Sequence, residues 1–235
     1  MITYYDFYPR IDALYLDKST PESAYRLETF RSSGSISANA SQQLRCYFVT
    51  KCDFSNPPKS TRTDGKTDIR AVSDKAFLEK ASENTLEIYQ NVLWDVESRY
   101  GPVIEMFEVE GTRERRIVIG FKMNSTAHFF SALSNLYHFY SLYSARKYVG
   151  EFLSQSLPLP FRSISFPEQF SNGITIISLY LNPLPNSHAP PIEHSIFQVM
   201  KEASLLFCLP DNPFFLHGQG VDSGHAVQEA TYACK

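Results

Sequence analysis

The sequence predicts an α+β sandwich, a largely antiparallel sheet with helices packed on one face. Three observations carry that expectation. "VIEMFEVEG" and "RRIVIGFK" are strand-like runs separated by "TRER", the pattern of a hairpin with a polar tip from Gly111 to Arg115. "GITIISLYLN", from Gly173 to Asn182, is a continuous apolar run bounded by Gly and Asn-Pro, as in a central strand buried on both faces. From Ser125 onward the apolar period changes from two to about 3.6, the period of a helix.

Taken in order, "ITYYDFY", "AYRLETF" and "LRCYFVT" are short strand-like runs, the last rich in aromatic and β-branched residues. "SNPPKSTRTDGKTD", from Ser55 to Asp68, holds two prolines, a glycine and mixed charge, and reads as a disordered loop. Ala76, Phe77, Leu78, Ala81, Leu86, Ile88, Tyr89, Val92, Leu93 and Val96 then recur at helical spacing, with Ser82 and Asn84 placed to break the run into two helices. The hairpin follows. Beyond it Phe129, Leu133, Leu136, Tyr137, Tyr140 and Tyr143 or Ser144 line a helix, capped by Asn124 or Ser125. After the central strand, "NPLPNSHAPP" is a loop and Ile192 to Leu209 form a last helix, ended by Pro210.

One segment fits no element. "GEFLSQSLPLPFRSISFP", the 18 residues from Gly150 to Pro167, has three prolines, apolar residues without a period and few charges. Structureless loops of that length are uncommon inside compact domains. The expected organisation is an α+β subdomain over 1–101 with its loop near 55–68, an α+β domain over 102–210 with a loop insertion near 150–167, and a linker with a truncated helix over 211–235. The final "SGHAVQEATYACK" starts a small-residue helix that stops without a cap, so the sequence reads as cut there.

Bulk properties exclude several function classes. Hydrophobic content of 43% and aromatic content of 14% suffice for a packed core. A net charge of -3 argues against nucleic-acid or anionic-membrane partners. No apolar run approaches the roughly 20 residues of a spanning helix, and "MITYYDFYPRID" is unlike a signal peptide. Cys46, Cys52, Cys208 and Cys234 form no C-x-x-C and read as free thiols in a reducing compartment. A cytoplasmic location is therefore expected, with a mitochondrial one open if Met1 is internal to a longer frame.

The motifs that could carry chemistry are mostly decoys. Gly218, Gly220 and Gly224 have the spacing G-x-G-x-x-x-G, one residue too long for a dinucleotide fingerprint, after a poor strand. His188, His194, His217 and His225 gather near the end without a zinc-like spacing. His128 and His138 read as core or boundary histidines rather than bases. The sequons at Asn39 and Asn124 are incidental without a secretory signal. "RERR", from Arg113 to Arg116, could bind an anion, but a solvated hairpin tip is the plainer reading. No catalytic, cofactor-binding or metal-ligating residue is assigned.

"RRIVIGFK…FFSALSNLYHFYSLYSARKYV…EQFSNGITIISLYLNP" resembles the large fungal NAD-specific glutamate dehydrogenases, in the part ahead of their catalytic domain. "SENTLEIYQNVLWDVESRYGPVIEMFEVEGTRERRIVIGF" and "AVQEATYACK" are similar to the same proteins. The resemblance implies ACT-like, ferredoxin-like regulatory domains in this region, with the NAD site and catalytic lysine downstream and no cofactor bound here. It implies as partners the remainder of the parent polypeptide, a homo-oligomer formed through the parent, and an amino-acid effector. In the family pattern "KYV" runs almost directly into "EQFSNGITIIS", so Gly150 to Pro167 reads as a retained, translated short intron or a mispredicted gene model, or otherwise as a surface insertion of modest entropic cost.

The expected function is thus an N-terminal regulatory or assembly fragment of an NAD-dependent glutamate dehydrogenase. The alternative is a free-standing ACT-like module that binds an amino acid without catalysis. An unrelated hydrolase would need a convergent nucleophile and base, to which no residue points.

Overall fold

The computed structural model describes residues 11–16, 19, 23–37, 40–99, 101–123, 125–126, 128–153, 173–184 and 190–207. Six strands, β1 (Tyr25–Ser37), β2 (Ala40–Lys51), β3 (Val103–Glu108), β4 (Arg115–Lys122), β5 (Leu142–Leu153) and β6 (Gly173–Pro183), form one sheet. Its order is β2-β1-β5-β6-β4-β3 and every neighbouring pair is antiparallel. The helices are α1 (Ile69–Val72), α2 (Lys75–Lys80), α3 (Glu83–Ser98), α4 (Phe129–Phe139) and α5 (Ile192–Leu205), with a π-helical turn at Asp12–Leu16.

The expected α+β class holds, but helices cover both faces of the sheet rather than one. Leu27, Ile117, Ile119, Val149, Ile177 and Leu179 pack with Leu133 and Leu136 of α4 and with Ile196 and Val199 of α5. On the other face Val118, Phe152, Ile174 and Ile176 pack with Ile69, Leu86, Tyr89, Val92 and Val96 of α1 and α3. Every residue from Arg116 to Phe121 is buried, so both sides of β4 must be kept from water. The apolar run of β6 already required the same.

One sheet runs through both expected units. β1 pairs directly with β5, from Leu27↔Val149 to Phe30↔Arg146, and α3 lies on β4. That helix approaches closely because Gly120 has no side chain. A Cβ there would sit 2.3 Å from Cγ1 of Val92 and 2.9 Å from Cγ2 of Val96.

Local signals placed most helix ends correctly. The break at Ser82 occurs where expected: its hydroxyl caps α3 by accepting from the Thr85 N–H at 3.3 Å. Asp68 and Asp74 cap α1 and α2 in the same way. The hairpin of β3 and β4 has its tip as anticipated. The cap of α4 is instead His128, at φ 56° and without a side-chain cap bond. α5 ends at Leu205, short of Leu209.

The segment from Ser55 to Asp68 is a loop, but a tethered one. Its Thr67 carbonyl accepts from Gln90 Nε2 and Trp94 Nε1, each at 2.8 Å. Arg62 and Lys66 lie over the Trp94 ring at 4.4 and 4.5 Å.

β5 departs furthest from what the sequence predicts. The helix expected to reach Tyr143 or Ser144 stops at Phe139, and a strand begins at Leu142. A bulge between Ser144 and Arg146 shifts its register, which erases the alternation that would mark it. Gly150 to Leu153, placed in the expected insertion, are strand and pair with Ile176 to Gly173 of β6. The rest of that insertion, and 211–235, lie outside the described residues.

Candidate functional site

Strand alternation brings a polar and aromatic set to the face that carries α1 to α3. Because Leu27, Val149, Ile177 and Ile117 point into the α4–α5 core, their neighbours point the other way. These are Arg26 and Glu28 on β1, Tyr148 on β5, Ser178 and Tyr180 on β6, and Arg116 on β4. Phe77, Lys80 and Ala81 from the end of α2, with Ser82, Thr85 and Tyr89 from the start of α3, roof this patch. Between roof and sheet lies a cleft of about 240 Å³. Gly150 contributes to its floor, where a Cβ would press the Phe152 ring at 3.2 Å.

Two arginines dominate its electrostatics. Arg26 is 6% exposed and Arg116 7%, and a buried guanidinium requires compensation. Arg26 has it. Its Nη1 donates to Asp74 Oδ2 at 3.4 Å and its Nε lies 3.3 Å from Glu28 Oε1. The Nε is not aligned for a hydrogen bond and has no other partner among the described residues. Lys80 Nζ joins Glu28 Oε1 at 3.2 Å.

Arg116 differs. Its Nε donates to the neutral Ser178 hydroxyl at 2.7 Å, and its guanidinium stands 5.4 Å from the Tyr180 ring centroid. Arg146 covers the same ring at 4.0 Å, but is itself paired with Glu114. No ion pair among the described residues involves Arg116. Burial pushes the nearby Tyr89 phenol up to about 12, against the opposing pull of Arg116. Tyr89 therefore keeps its proton and can donate. The arrangement suits holding an anion.

"RERR" thus proves to be more than a solvated tip. Arg113 is exposed, whereas Arg116 is carried by β4 under α3. The signal was its place on the strand: Arg116 is two residues before Val118 and four before Gly120, on the face that α3 buries. The other candidates do not converge. His128 and His194 are exposed. His138 is half-buried, with its imidazole lowered to about 4 by desolvation and then by Arg45 and Arg31. His188, His217, His225 and Gly218, Gly220 and Gly224 lie outside the described residues. No cluster of three metal-ligating side chains occurs among the described residues, and no helix among them is long and apolar enough to cross a membrane. Cys46 and Cys52 are free thiols; Cys208 and Cys234 lie outside the described residues.

Residues 2–156 and 161–220 match the family described as NAD-specific glutamate dehydrogenase, second domain. The chain is similar to the NAD-specific glutamate dehydrogenase of Neurospora crassa, 42% identical over 95% of this chain and 20% of that protein. It is 41% identical to the probable NAD-specific glutamate dehydrogenase of Schizosaccharomyces pombe, over 95% of this chain and 19% of that one. Glutamate dehydrogenase 2 of Dictyostelium discoideum is 34% identical, over 91% and 19%. The chain spans about a fifth of the length of these relatives. No solved structure matches it.

Proposed function

The chain belongs to the second-domain family of NAD-specific glutamate dehydrogenases, and from that premise we propose that it is a non-catalytic regulatory and assembly domain of such an enzyme. The parent oxidatively deaminates L-glutamate to 2-oxoglutarate and ammonium while reducing NAD, and the NAD site and catalytic residues belong to its remaining polypeptide. This domain acts through the parent, in a homo-oligomer.

The observation that carries the reading is the connectivity of β3-β4-α4-β5-β6-α5. β4 and β5 both flank β6, so they run parallel to each other with α4 as their crossover. α4 and α5 lie together on one face. Two helices on one face of an antiparallel sheet with a split βαβ unit support an ACT-like, ferredoxin-like unit. β1, β2 and the α1–α3 layer extend it. Rigid-body rotation of such a unit about an interface is one way a regulatory part can act.

The purified 235-residue chain is expected to form no NADH from glutamate and NAD. Turnover at any rate above the blank would overturn the non-catalytic part of the reading. Deleting the segment from the full-length parent should change its oligomeric state or its response to effectors. A deletion protein with the same assembly and the same regulation would overturn the rest.

A further inference from the structure

We infer that the cleft under α2 and α3 is a ligand site for a small organic carboxylate, seated with its carboxylate on Arg116. The inference rests on the regulatory reading and gives it a ligand. It places that ligand on the opposite face of the sheet from α4 and α5.

Charge accounting selects the ligand class. Arg26, Lys80 and Arg116 face the cleft, and Glu28 is the carboxylate among its lining residues. Asp74 supports Arg26 from behind. Glu28 and Asp74 offset two of the three cations, leaving one charge, on Arg116. That residue is more than nine-tenths buried and, among the described residues, meets the Ser178 and Tyr89 hydroxyls and aromatic rings but no carboxylate. A buried guanidinium without an anion is costly, and a bidentate carboxylate is its best-matched partner. The start of α3, a helix of 16 residues, lies at the mouth through Ser82 and Thr85 and adds positive potential there. One surplus charge matches one carboxylate and leaves a phosphate dianion half-neutralised.

Size and shape select the rest. A volume of about 240 Å³ equals roughly eight waters of liquid at ~30 Å³ each. That suits an acid of about eight to ten non-hydrogen atoms. Phe77, Tyr148 and Tyr180 offer flat apolar walls for its body, and the Tyr89 hydroxyl can donate to a second oxygen. Gly150 leaves the floor open.

The test is binding to the 235-residue chain, followed by calorimetry and by amide shifts in NMR. The probes are pyruvate, 2-oxoglutarate, L-glutamate and benzoate, with benzamide as the uncharged match of benzoate and inorganic phosphate as the rival anion. At least one carboxylate should saturate, shifting the amides of Lys80 to Ser82, Gly150 and Ser178, while benzamide and phosphate do not. Arg116→Gln should weaken that acid by about tenfold or more, the scale of a lost charge-assisted pair. Ala81→Phe fills the cleft from its roof without touching the buried charges, and should abolish binding even if Arg116→Gln fails to fold.

Failure of all four acids to saturate would overturn the inference. So would phosphate binding more tightly than the acids, or an affinity unchanged in Ala81→Phe. None of these results bears on turnover or assembly, so they are separable from failure of the regulatory reading.

Discussion

Replacing Glu151 with Gln should remove most of the pH dependence of stability between pH 6.5 and 8. Glu151 sits on β5 at 2% exposure. Its carboxyl Oε2 accepts from Thr175 Oγ1 at 2.6 Å, beside Leu16, Phe121, Met123 and Phe129 around a void of about 20 Å³. Such a void holds one water at most. Burial pushes the carboxyl up to about 8, so the native protein retains a proton that the unfolded chain releases near its ordinary value of about 4.3. Native protein binds more protons, so stability falls as pH rises through this window.

His138 works in the opposite direction. Its lowered value of about 4 makes stability fall as pH drops from about 6.5 toward 4. The two slopes oppose each other below pH 6.5, and of the two only that of Glu151 operates above it. Cys52, pushed up to about 12 by burial and by Asp74 and Glu151, stays neutral in the native protein, while the unfolded thiol begins to ionise at about pH 8.5 and adds a slope of the same sign as that of Glu151 at the top of this range.

From pH 6.5 to 8 the Glu151 contribution is ~2 kcal/mol, at about 1.4 kcal/mol for each pH unit. Gln keeps the acceptor for Thr175 and carries no charge. Urea unfolding at pH 6.5, 7.25, 8 and 8.5 should show the wild-type midpoint falling and that of Glu151→Gln level, with the variant the more stable at pH 8.5. Equal slopes in both proteins, or a variant less stable at pH 8.5, would refute the account of a buried, protonated carboxyl.

Three further outcomes follow from packing and charge. Gly120→Ala should cost about 1–3 kcal/mol by forcing α3 off β4, read from the urea midpoint; adding Val92→Ala should recover part of that loss, and strict additivity would count against the contact. The His138 imidazole should remain neutral in an NMR titration down to about pH 5, and a midpoint near 6.5 would show it solvated. Trp94→Phe should cost about 1 kcal/mol through its bond to the Thr67 carbonyl. It should also speed proteolysis between Ser55 and Asp68; an unchanged cleavage rate would mean that Trp94 does not tether the loop.

What could be read from the chain alone follows the range of the interactions concerned. The hairpin of β3 and β4, the break at Ser82 and the buried run of β6 depend on neighbours within a few residues, and alternation or a capping hydroxyl reports them directly. The lineage was legible in the same stretches. β5 was not, because its bulge at Ser144 breaks the period and its Arg146, Lys147 and Glu151 look solvated in one dimension.

Tertiary structure decided what those charges meet. The pairing of β1 with β5 joins segments more than a hundred residues apart, and no local preference encodes it. That pairing, and the close approach of α3 to Gly120, turn "RERR" from a hairpin tip into a strand whose last arginine lies under a helix. Sequence by itself determined that Arg116 is a cation on a strand. Only the fold removed it from water with no carboxylate paired to it among the described residues, because burial belongs to the packed sheet and helices together.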